Sequence, residues 1–145
     1  MITFIFLDIL AINTYDGNKR AYSINPRGGY EQLDFEFGDD TEVEHSCSLQ
    51  WQNHYYVFGG WNEERQVSMV NGNRLERKGT LNFDFDDGGC TVLNQITIVL
   101  CFDKNERDVC RQSNNPLGSF TKLPNSNYDH NAARIASFDG KNTIY

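Results

Sequence analysis

Short runs of apolar and aromatic side chains recur along the chain, divided by polar joints. ILAINTY, KRAYSI, CSLQW, HYYVF, QVSMV, RLER, CTVL, ITIVLCF and RDVC carry the β-branched and aromatic residues that suit a pleated strand. The opening ITFIF reads as a strand in the same way, GGYEQL as another, and ARIASF and NTIY as two more near the end. The joints are Gln52-Asn53, GGWNEE and Asn71-Gly72, and Asn-Gly is the strongest short hairpin signal. ITIVLCF is apolar almost without a break, as expected of a strand whose two faces both pack against neighbours. The pattern predicts an all-β fold.

The runs repeat. Arg65, Val67, Leu75 and Leu81 recur as Arg107, Val109, Leu117 and Leu123 at an offset of 42. LDFEFGDD (33–40) matches LNFDFDDG (81–88) at an offset of 48, and residues 46–60 match 89–103 at 43. The change of offset puts a longer loop in the first copy, where insertions are tolerated. Four strands per 42 to 48 residues is the rhythm of a propeller blade. It predicts a partial β-propeller of four-stranded antiparallel blades in one domain: the end of a blade over 1–44, blades over 45–88 and 89–130, and the start of another over 131–145. Propellers hide their sheet edges by closing a ring, typically of four to eight blades. About three blades leave open faces, so either the chain is part of a longer one or copies self-associate to close the ring.

The stretch over residues 45–79 resembles a Kelch repeat. In that family a strand ending in a glycine pair leads through a variable loop to a third strand, a turn and a fourth strand with a large anchor. Gly59-Gly60 match the glycine pair, and Leu75 stands where tryptophan is usual. In the second copy Phe102-Asp103 replace the glycines and Leu117 replaces the tryptophan. The resemblance implies a propeller, and a repeat without catalytic residues makes protein binding through interblade loops the expected role. Kelch-type propellers include galactose oxidase, whose copper site needs histidines, tyrosines and a tyrosine joined to cysteine, and no tyrosine here can be matched to it.

Composition agrees with turns rather than helices: Asn (16), Asp (12) and Gly (12) outnumber Ala (5) and Lys (5) severalfold. A formal charge of −7 gives no attractive field for a phosphate backbone, which argues against nucleic acid. No apolar run approaches the roughly 20 residues of a membrane-spanning helix, so membrane insertion is not expected. MITFIFL has no basic residue before it and meets Asp8, a poor signal peptide. Cys47, Cys90, Cys101 and Cys110 form no CxxC pair. Cys101 and Cys110 flank FDKNERDV, a hairpin connection, and are the disulfide candidate. A bridge there favours an extracellular protein, and free thiols a cytoplasmic one. No N-x-S/T sequon adds support for secretion.

The chemistry-bearing residues give no catalytic constellation. His45 and His130 fall at one repeat position two blades apart, too far to share a metal, and His54 stands alone. Asp39, Asp87 and Asp129 recur at one position, which suits turns better than calcium. SFDGKNT (137–143) superficially resembles the Asp-box of sialidase-type propellers, with its glycine one residue early and no tryptophan after it. Phosphate-loop, GxSxG and HExxH motifs are missing, so no catalytic residue, metal or cofactor is expected. Trp51 is expected in the core and Trp61 in the loop after the glycines. Trp61, Glu63, Glu64 and Arg65 are the candidate contact residues, since exposed aromatics and arginines dominate binding hot spots. The rival readings are a larger propeller enzyme, galactose-oxidase-like or a glycosidase, with its active residues elsewhere, and a structural extracellular component.

Overall fold

The computed structural model describes residues 9–15 and 18–130. The strands expected over ITFIF, ARIASF and NTIY, the SFDGKNT segment, and the start of a blade over 131–145 lie outside the described residues. Among the described residues there are twelve strands and no helix. β1 (Ile9–Tyr15), β2 (Asn18–Ile24) and β3 (Tyr30–Gln32) form an antiparallel meander. The second sheet has the order β4-β8-β7-β6-β5, from β4 (Glu36–Phe37), β5 (Cys47–Trp51), β6 (His54–Phe58), β7 (Gln66–Asn71) and β8 (Arg74–Thr80). It is antiparallel except at its outer edge, where β4 runs parallel to β8. β9 (Gly89–Leu93), β10 (Thr97–Asp103), β11 (Glu106–Ser113) and β12 (Thr121–Lys122) form the third sheet, in the order β12-β11-β10-β9. Each of the three sheets is open.

Burial explains the long apolar runs. On β6, Tyr56 and Phe58 point into a core shared with the third sheet, while Val57 points the other way, against Val43 and Leu75. On β10, Ile98 and Leu100 join that shared core, and Val99 and Cys101 pack on the opposite face with Leu93 and Phe102. The stretches buried on both faces, Tyr56–Phe58 and Ile98–Cys101, are accordingly aromatic or apolar at every position. Segment 81–85 runs between the two sheets, and its Leu81, Phe83 and Phe85 fill the interior together with Phe120. The four aromatic pairs Tyr56–Phe58, Phe58–Phe120, Phe83–Phe85 and Phe83–Phe120 have ring centroids 5.9–6.2 Å apart. Aromatic side chains thus join aliphatic Val67, Leu81, Ile98 and Leu100 in the core that holds the two sheets together.

The second and third sheets share a set of backbone landmarks. Gly59 (φ 64°) and Phe102 (φ 62°) are left-handed at equivalent places after β6 and in β10, and His45 (φ 58°) matches Asp87 (φ 59°) before β5 and β9. Trp61 N–H donates to the Glu44 carbonyl as Lys104 N–H does to that of Asp86, both at 3.0 Å. Phe85 N–H donates to Glu64 as His130 N–H does to Arg107. These landmarks correct the sequence alignment. Phe58 pairs with Val67 and Cys101 with Cys110, so Val109 corresponds to buried Gln66 and not to Val67. The β9–β10 loop is one residue longer than the β5–β6 loop, which places Cys47 level with Gly89 instead of Cys90. His130 takes the position of Phe85, so it is not the counterpart of His45. Asp87 shares its position with His45 rather than with Asp39, although it does adopt the left-handed turn conformation expected of it. Leu117, expected as an anchor like Leu75, lies half exposed in a loop against Gly79, while Leu75 is fully buried.

Two disulfides pair all four cysteines. Cys101–Cys110 bridges β10 and β11 across directly opposed positions. Cys47–Cys90 joins the second sheet to the third, a link that no spacing rule singles out because its partners lie 43 residues apart.

Candidate functional site

The loop between β6 and β7, residues 59–65, is held in place from underneath. Gly59 is left-handed, and a Cβ there would collide with the Phe85 carbonyl, so only glycine lets segment 81–85 approach this closely. Gly60 N–H donates to that same carbonyl at 3.1 Å, Trp61 N–H to Glu44, and Gln66 N–H to Glu63 at 2.9 Å. Gln66 is fully buried and fully satisfied. Its amide nitrogen donates to the carbonyls of Glu42 (2.5 Å) and Gly59 (2.6 Å), and its amide oxygen accepts from Glu42 N–H (2.8 Å) and the Ser68 hydroxyl (3.1 Å). An amide satisfied at both ends fixes the loop base more firmly than an apolar residue would.

On this base the four sequence-predicted residues separate. Trp61 is 54% exposed, edge-on to the His45 ring at 5.2 Å, with the Lys104 ammonium 5.4 Å from its ring centre. Glu64 pairs with Lys104 at 2.8 Å and belongs to the same cluster. Glu63 turns to Arg77 (2.8 Å) and Arg65 to Asp84 (2.5 Å), so these two brace the flanks. The cluster is completed by His45, Asp86 and Lys104, which sequence reasoning did not select. Lys104 aligns with Trp61 itself in the second copy, and that correspondence is the signal that could have found it.

Asp86 is the electrostatic centre. It is fully buried, accepts from Lys104 Nζ at 2.5 Å, and its own N–H donates to the Asp103 carboxylate at 2.8 Å. Its Oδ1 has no hydrogen-bond partner among the described residues and faces His45 Nδ1 at 3.7 Å. The hydrogen bonds to Asp86 and then Glu64 hold the Lys104 ammonium well above the usual lysine range, outweighing burial. One cation is thus shared by two carboxylates. Among the described residues, half-exposed Glu44 has no ion-pair partner besides the His45 ring at 3.9 Å, so the described surface around Trp61 carries excess negative charge. Below it, burial opposes ionisation of Glu42, but hydrogen bonds from the N–H groups of Glu44 and Val43, aided by Lys19 and Asn62, win and lower its pKa.

Among the described residues no group of three or more His, Cys, Asp or Glu side chains could hold a metal ion, and no helix is long and apolar enough to cross a membrane. The two disulfides are consistent with an extracellular location. No protein-family model matches this chain, and no curated protein is significantly similar to it.

Proposed function

We propose that this chain is a Kelch-like arc of β-propeller blades that binds a protein partner through the loop at residues 59–65, with Trp61 at the centre of the contact and Glu64 and Glu44 beside it. The observation that carries the reading is an indole more than half exposed on a backbone that is tied down on both sides. A rigid, solvent-facing tryptophan loses little freedom on association, which is what makes aromatic anchors dominate binding energy. The propeller reading is supported by two successive sheets with matching left-handed residues and matching backbone bonds, packed through a common aromatic core. Excess carboxylates around the indole, on a chain of formal charge −7, favour a partner whose contact surface is basic.

Affinity capture with the folded chain, compared by quantitative mass spectrometry between wild type and Trp61→Ala, tests this. The expected result is a partner retained by wild type, lost with Trp61→Ala and weakened by Glu44→Lys, with circular dichroism unchanged. A capture profile identical for all three proteins would remove this loop from consideration.

A further inference from the structure

A second surface lies at the other end of the same two sheets. The β5–β6 and β9–β10 hairpins stand side by side, and between their tips is a cleft of about 420 Å³ lined by Gln50, Trp51, Gln52, Asn53, Val92 and Gln95. That volume falls within the roughly 300–1,000 Å³ of small-ligand sites. The two tips are fixed relative to each other. Cys47–Cys90 ties the strands covalently at the far end, and Trp51 Nε1 donates to the Ile96 carbonyl of the neighbouring hairpin at 2.6 Å. The cleft is therefore preorganised rather than assembled on binding.

Gln52 (φ 45°), Asn53 (φ 65°), Asn94 (φ 50°) and Gln95 (φ 60°) at the tips are all left-handed, which is ordinary for the two asparagines and unusual for the two glutamines. Hairpin turns with such angles favour glycine, and the same chain uses glycine at Gly72 in the β7–β8 turn. Glutamine has no conformational advantage at φ > 0, so its presence once in each turn is unexplained by the fold. Among the described residues, the side-chain amides of Gln50, Gln52, Asn53 and Gln95 have no hydrogen-bond partner, which leaves their donors and acceptors free for a ligand.

We propose that this cleft binds a neutral oligosaccharide. Its lining carries no charged side chain, so it offers nothing to an ionised ligand. Primary amides present a donor and an acceptor side by side, matching pairs of adjacent hydroxyls. Trp51 and Val92 add an apolar wall for the C–H face of a sugar ring. The site is separate from the Trp61 loop and does not depend on it.

The test is titration of isotopically labelled protein with maltotetraose, cellotetraose, mannotetraose and chitotetraose, following the side-chain amide and indole N–H signals by NMR. Saturable shifts confined to Trp51 Nε1–H and the amides of Gln50, Gln52, Asn53 and Gln95 are expected with at least one of these sugars. The double variant Gln52→Gly, Gln95→Gly relieves both left-handed glutamines, so its unfolding midpoint should hold or rise while affinity falls at least ~5-fold through the lost hydrogen bonds. Gln50→Ala, on a strand rather than in a turn, gives an independent reading and should also weaken binding. Trp61→Ala should leave binding unchanged. The proposal is overturned if no sugar gives saturable shifts up to about 20 mM, if the shifts map elsewhere, or if the glycine variant binds as tightly as wild type.

Discussion

Removing each disulfide in turn separates what the two bridges do. The Cys47–Cys90 bridge closes a loop of 43 residues, and Cys101–Cys110 one of 9. In the chain-entropy relation, in which the freedom removed from the unfolded chain grows with the logarithm of loop length, these correspond to about 4 and about 2.5 kcal/mol. The paired variants Cys47→Ala/Cys90→Ala and Cys101→Ala/Cys110→Ala delete the same number of sulfur atoms, so much of the packing loss cancels in the comparison. The remaining difference, about 1.5 kcal/mol, is the contrast between a link across sheets and one within a hairpin whose ends are already close. Urea unfolding followed by tryptophan fluorescence measures it. With a slope of about 1–3 kcal/mol per molar urea, loss of the Cys47–Cys90 bridge should lower the midpoint by more than ~1 M and steepen the transition, because the unfolded chain expands. Thiol alkylation of denatured, unreduced wild type should label no cysteine, fixing the starting state. A loss from the local pair equal to or larger than that from the inter-sheet pair would refute the reasoning.

Three further outcomes are expected. Gly59→Ala places a side chain against the Phe85 carbonyl at φ 64° and should cost more than ~3 kcal/mol, whereas Gly72→Ala, left-handed with nothing within 4 Å, should cost about 1 kcal/mol; thermal unfolding of the two variants compares them. Lys104→Met leaves buried Asp86 with one fewer partner and should cost about 2 kcal/mol, below the full figure for a buried pair because Lys104 is itself partly exposed; Asp86→Asn introduced into that variant should recover part of the loss. Because the folded state lowers the pKa of Glu42, its stabilisation is present above the ordinary value near 4.5 and fades as pH falls through the lower folded value; Glu42→Gln should flatten this acid limb of a stability–pH curve.

How much could be read beforehand depends on which interactions set each feature. β5 and β6 begin and end at CSLQW and HYYVF because their limits are set locally, by alternation and by the Gln52-Asn53 turn. The equivalence of Gly59-Gly60 with Phe102-Asp103 was visible despite dissimilar side chains, because the flanking strands fix the spacing. The alignment slipped by one residue beyond Asp103 because Val67 and Val109 look alike, while the true counterpart of Val109 is Gln66. A buried glutamine held by backbone carbonyls has no periodic signature. Trp61 and Glu64 belong to one cluster, but Asp86 and Lys104 enter it from the next sheet, and only three-dimensional packing brings them there. The Cys47–Cys90 bridge was illegible for the same reason.

The parallel pairing of β4 with β8 bears on where this chain can be divided. The sequence repeat begins near residue 45, yet the strand that covers the outer edge of the second sheet comes from residues 36–37, with Glu36 N–H donating to Asn73 and Gly38 N–H to Leu75. The repeating unit of sequence and the folding unit are therefore out of phase by about one short strand. A module excised at the repeat boundary would leave its own edge cover behind, and its bare β8 would be available to pair with the next copy. Shuffling or grafting this unit intact requires a cut ahead of Asp34, whose carbonyl accepts from the Asn73 side chain.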